Sequence, residues 1–135
     1  MSFFNDLNSA IYTRLTGGTA LTGELGGTFI HNGYAPDEAS LPYVVWSYQA
    51  ANQDNMTPSE SGQVLLFVRA YATTAKKAGQ IDDKVHDLMK SALSVGSWTN
   101  FWLAREEEFL LPEKDEKTGV TTWMCGAYYR IRLDK

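Results

Sequence analysis

The sequence predicts an α+β fold: a mainly antiparallel sheet with two α-helices packed on one face, and long hairpin extensions. Three observations carry this. Apolar residues alternate with period two through the last third of the chain. A second alternating run with two apolar faces lies at residues 63–72. Two stretches of helical spacing stand at the N-terminus and just beyond residue 74. The 135 residues fit one domain, 1–135, long enough to bury a core without metal or disulfide support.

Ser2 is the N-cap of a first helix over residues 3–15, where Phe3 or Phe4, Leu7, Ile11 and Leu15 recur at helical spacing. Asn8, Thr13 and Arg14 fall on its other faces, and Gly17-Gly18 ends it. Residues 19–25 form one more short turn before Gly26-Gly27, residues 28–31 a short strand, and Asn32-Gly33 a turn. Residues 36–42 are a polar connection, in which Pro42 biases Leu41 away from helix and so opens an extended segment. Residues 43–49, rich in Val, Trp and Tyr, read as strand. Residues 50–62 are the most polar stretch and read as a long exposed loop between two strands, a length at which loops are more often functional than idle.

In residues 63–72, Val64, Leu66, Val68 and Ala70 share one face, and Leu65, Phe67, Arg69 and Tyr71 the other, the pattern of a central strand. Thr73 or Thr74 caps the second helix. Ala78, Ile81, Val85, Leu88 and Ala92 keep its buried rhythm, while Lys76, Asp83, Lys84, Asp87 and Lys90 form a solvated stripe. The rest is a hairpin with arms at 100–111 and 120–133 and a charged tip at 113–119. In the return arm Trp123, Cys125, Ala127, Tyr129, Ile131 and Leu133 share a face, and Met124, Tyr128, Arg130 and Arg132 the reverse.

Lys and Arg total 12 against 16 Asp and Glu, a net charge of −4, so the chain lacks the bulk attraction that drives phosphate-backbone binding. The single cysteine, Cys125, permits no intramolecular disulfide. The opening residues lack the basic and apolar regions of a signal peptide, and no apolar run approaches the roughly 20 residues that cross a bilayer. The expectation is synthesis in a cytoplasm and no membrane partner, which leaves the glycosylation pattern Asn55-Met56-Thr57 to chance.

The residues that could carry chemistry lack their partners. Residues 18–23 have the first spacing of a phosphate-binding loop, but Glu24 stands where the lysine belongs, and the segment follows a helix. His31 and His86 are the only histidines, and neither has a second ligand at metal-binding spacing. Cys125 sits between Met124 and Gly126, which offer no base. Glu106-Glu107-Glu108 alternate across a strand, so their carboxylates do not converge. No Gly-x-Ser-x-Gly elbow occurs. The reading is a protein that is not an enzyme, holds no cofactor and acts through its surfaces.

Several short motifs point to a family. They are Leu7-Asn-Ser-Ala-Ile-Tyr-Thr-Arg-Leu15, Ala20-Leu-Thr, Gly26-Gly27, Phe29-Ile30, Gly33-Tyr34-Ala35-Pro36 and Leu41-Pro42-Tyr43-Val44-Val45. In these, and in the order of elements that follows, the chain resembles the tail-completion or tail-terminator proteins of long-tailed phages and gene transfer agents. The resemblance implies a virion component assembled in the host cytoplasm, which forms a ring with itself, typically a hexamer, on the head-proximal end of the tail tube. Such a ring stops tube polymerisation and receives the head-completion or connector protein, and DNA passes through its lumen without specific binding. The family has no catalytic residues to carry over.

The expected contacts with tube and connector lie in the two polar extensions: Asn52, Gln53, Asp54, Asn55, Met56 and Glu60 in the first, Glu113, Lys114, Asp115, Glu116 and Lys117 in the second. The alternatives are a neck or head-completion protein touching the portal, and a small-molecule-binding module using His31, Tyr34 and Tyr48.

Overall fold

In α1 (Phe4–Thr16), Leu7, Ile11 and Leu15 fall on one stripe and are completely buried, as their spacing requires. The computed structural model describes residues 4–36, 39–55 and 60–134, with backbone alone for 52–55, 60 and 101, so the Ser2 cap and Phe3 lie outside the described residues. Beyond Gly17 the expected single turn is a full helix, α2 (Thr19–Leu25), buried through Leu21 and Leu25. Gly26 closes it in the left-handed conformation at φ 78, which costs a residue without a Cβ nothing.

The strands are β1 (Ile30–Asn32), β2 (Tyr43–Asn55), β3 (Glu60–Ala72), β4 (Ser94–Val95), β5 (Trp98–Lys114) and β6 (Thr121–Asp134). The third helix, α3 (Ala75–Leu88), follows β3, capped by the Thr74 hydroxyl, which accepts from the Lys77 amide at 3.1 Å. The strands form one six-stranded sheet in the order β1-β2-β3-β6-β5-β4. Among the described residues only the β1–β2 pair is parallel. Helices α1, α2 and α3 lie on one face, with α3 crossing β3, β6 and β5. Trp46, Leu66, Val68, Ala127, Tyr129, Ile131 and Leu133 meet Ile81, Val85 and Met89 there in one core.

Three expectations need correction. Residues 50–62 are not a loop: β2 continues to Asn55 and β3 begins at Glu60, in register from Ala50↔Leu65 to Asn55↔Glu60. Polar side chains do not prevent this, because a hairpin arm at a sheet margin bonds through its backbone and can face water on both sides. The second helix stops at Leu88, and Met89 rather than Ala92 takes the next buried position. Its C-terminal turn is held from outside. Arg14 of α1 donates to the carbonyls of Leu88 (2.8 Å), Ser91 (3.0 Å) and Ala92 (2.7 Å), supplying partners that a continuing helix would have made unnecessary. Finally, β5 does not alternate strictly, since its register with β6 shifts between Asn100 and Trp102 and again between Arg105 and Glu108.

Candidate assembly surfaces

The two polar extensions form opposite ends of the sheet. The β2–β3 hairpin closes beyond Asn55↔Glu60, at the end where Ser61 pairs with Asp134 and Asp134 with Thr99. The β5–β6 hairpin closes beyond Lys114↔Thr121, at the end where Ala72 pairs with Trp123 and Tyr43 with Tyr71. The 13 residues of β3 separate the two, about 40 Å at roughly 3.3 Å per residue.

The expected contact residues therefore fall into two groups. Asn52, Gln53, Asp54 and Asn55 pair with Gln63, Gly62, Ser61 and Glu60, and Met56 lies outside the described residues. Glu113 and Lys114 pair with Thr122 and Thr121, and lead into the exposed tip of Asp115, Glu116 and Lys117. That tip is an ordered turn. The Asp115 amide donates to Val120 (2.9 Å), the Gly119 amide to the Asp115 carbonyl (2.7 Å), and the Lys117 amide to the Asp115 carboxylate (2.9 Å). Gly119 supplies the φ of 72 that the turn requires. Leu110, Leu111 and Val120 leave large apolar surface exposed beside it.

The sheet face opposite the helices is aromatic, and sequence reasoning did not single it out. Phe67, Tyr128 and Phe109 form a triangle of rings with centroids 4.8, 5.3 and 5.6 Å apart. The Arg69 guanidinium lies 4.9 Å over Phe67. The Tyr43 and Tyr71 rings pack across β2 and β3 with centroids 5.3 Å apart, tilted by 37°. The triangle surrounds Gly126, where a Cβ would collide with the Val68 carbonyl and stand 2.9 Å from the Arg69 Cα. The signal was available as Phe67, Tyr71 and Tyr128 on the outward positions of two alternating strands.

On the helix side a polar cluster crosses the core. Arg105 donates to Asp82 of α3 (2.6 Å), to the Tyr129 hydroxyl (2.7 Å) and to Glu108 (2.7 Å). The register shift after Arg105 makes this possible: it turns Glu108 to the same face, where strict alternation would set the two on opposite sides. Burial works against the Arg105 charge, but the bonds to Asp82, Tyr129 and Glu108 overcome it and raise its pKa. Glu106 faces the other side and pairs with Arg130 at 2.7 Å. Glu106 and Glu108 thus lie on opposite faces, as expected of carboxylates that do not converge, but the register shift separates them, where strict alternation would set both on one face.

Cys125 packs against this core, and burial, reinforced by the Asp82 carboxylate, pushes its thiol up to about 12. Glu24, at the place of a phosphate-loop lysine, pairs with Lys77 at 2.5 Å. His31 and Tyr48 do not converge. His31 aligns with Val45 on the bare face, whereas Tyr48 bonds Asn8 of α1 at 2.5 Å on the helix face. Tyr34 is 81% exposed, so the pocket expected for a small-molecule module is not assembled. An open cleft of about 550 Å³ lies between α1 and the segment after α3, lined by Asp6, Ser9, Arg14, Leu88, Leu93 and Gly96. Among the described residues no group of His, Cys, Asp and Glu could hold a metal ion.

A family model described as tail completion protein gp17 matches residues 9–124. The chain belongs to this family. The tail-completion chain shares its architecture with a chain of the virion of a native gene transfer agent particle, at a TM-score of 0.80 and 14% identity, covering 99% of this chain and 98% of that one. No curated protein matches. Family membership makes it a structural protein of the virion tail. Among the residues that carried the resemblance, Leu7, Ile11, Leu15, Ile30, Val44 and Val45 are buried and Gly26 caps α2, while Tyr12, Phe29 and Tyr34 are exposed.

Proposed function

We propose that the chain assembles with itself as a ring, a hexamer by the family resemblance, on the head-proximal end of the tail tube. The ring halts tube polymerisation and offers its other face to the head-completion or connector protein. The observation that carries this reading is the placement of the two hairpin ends about 40 Å apart along one rigid sheet. A subunit that joins two different partners along one axis needs two separated end surfaces. We assign Asn52, Gln53, Asp54, Asn55, Met56 and Glu60 to one contact, and Glu113, Lys114, Asp115, Glu116 and Lys117 to the other. The role is non-catalytic, and a net charge of −4 per copy lets DNA pass without adhering.

Loss of the chain should yield tails of uncontrolled length that fail to join heads. Replacing residues 115–118 with a two-residue turn, and separately shortening the β2–β3 end, should uncouple the two functions. One variant keeps tail length but not head joining, and the other does the reverse. Two variants with the same phenotype would overturn the assignment of one end to each partner. Binding to purified portal assemblies in place of tail tubes would establish the neck reading instead.

A further inference from the structure

Both margins of the sheet are incompletely covered, and the gaps correspond. β1 pairs with the outer side of β2 only at Val44, Val45 and Trp46, so residues 47–55 have no strand beyond them among the described residues. β4 pairs with the outer side of β5 only at Trp98 and Thr99, which leaves residues 100–114 open in the same sense. The register across the sheet sets these openings at one level. Tyr48 aligns through Leu66 and Tyr129 with Arg105, and Ala50 through Leu65 and Arg130 with Ala104. Ala51 aligns through Val64 and Ile131 with Leu103, and Asn52 through Gln63 and Arg132 with Trp102.

Residues 102–105 are also the uninterrupted run between the two register shifts of β5. Beyond them the margin carries Glu106, Glu107, Glu108 and Pro112, which discourage strand pairing, and at that level β2 is already covered by β1. Ala50, Ala51 and Ala104 are exposed and small, so a neighbouring backbone can approach closely. The two margins run in opposite directions, because β2, β3, β6 and β5 alternate.

We infer that neighbouring copies join by antiparallel strand pairing, residues 48–52 of β2 in one copy, with the bulge at Gln49 left unpaired, against residues 102–105 of β5 in the next. A foreign strand would need only one open margin. Two openings at one level and of opposite direction in the same chain fit a second copy. The contact is heterologous and leaves a matching opening at each side, so it propagates and closes into a flat ring without axial stagger. Edge-strand amides and carbonyls at both margins supply the ladder, apart from the Trp102 carbonyl, which accepts from the Asn100 side chain at 2.9 Å. The inference rests on the ring reading and names the surface that the ring would use.

The test is cysteine cross-linking of the full chain assembled on purified tail tubes. In a Cys125→Ala background, Ala50→Cys with Ala104→Cys should give, after mild oxidation, a series of linked multimers ending at the closed ring, since directly opposed residues lie within disulfide reach. Either substitution alone should stay unlinked. Self-linking of a single variant means an isologous contact and overturns the pairing. Rings visible by electron microscopy without linkage overturn the pairing and leave the ring standing, whereas chains that stay single on tubes overturn both. Amide exchange of the unaltered chain gives a second measure: residues 48–52 and 102–105 should slow together by about tenfold or more on assembly. Slowing of one stretch alone would indicate a strand from another protein and reject the inference.

Discussion

Arg105 shows how much a single buried charge depends on its neighbours. Its side chain is 12% exposed and that of Asp82 7%, so neither has water to fall back on. Arg105→Ala should lower stability by about 3–5 kcal/mol in urea unfolding, because it strands the Asp82 carboxylate. Arg105→Met with Asp82→Leu should recover much of that loss, since two apolar side chains leave no orphaned charge. Gly126→Ala should cost at least about 1–3 kcal/mol, its methyl pressing on the backbone of β3. Cys125 adds a pH dependence. Burial raises its pKa from 9.0 to about 12, and raises that of Tyr129 from 10.0 to about 12. Above pH 9 the unfolded chain releases protons that the native chain retains, so stability should fall between pH 9 and 12. Cys125→Ala should make that fall shallower in unfolding titrations.

At the scale of elements, legibility followed burial. α1, α3 and β6 each bury one regular stripe, and their apolar spacing located them to within a turn. Thr74 is a cap by residue type and by geometry, and Thr74→Ala should cost about 1 kcal/mol in urea unfolding. The outer arm of the β2–β3 hairpin was unreadable for a physical reason: its ladder is made by backbone groups that every residue carries, so no side-chain pattern marks it. The end of α3 was equally hidden. Its boundary is set by Arg14, 74 residues from Leu88, and no local cap signal announces a partner so distant in sequence. Asp82, which the solvated stripe of α3 does not include, finds its partner only where Arg105 arrives from β5.

For the whole molecule, the sheet acts as a spacer with helices on one face, aromatic rings on the other, and a charged hairpin at one end. Its acidic balance leads to a direct expectation: at physiological salt the assembled chain should not retard duplex DNA in gel electrophoresis. Strong retardation reversed by salt would instead indicate a lumen that grips phosphates.

The sequence by itself determined the α+β class, the core stripes of α1 and α3, the return strand and the family. Each of these is written in residue spacing or in short contiguous motifs. Tertiary structure alone decided that the two polar extensions lie at opposite ends, that Arg105 and Glu108 share a face, and that the open margins of β2 and β5 stand level. These depend on register, and register arises when distant strands pair through backbone groups that carry no residue identity.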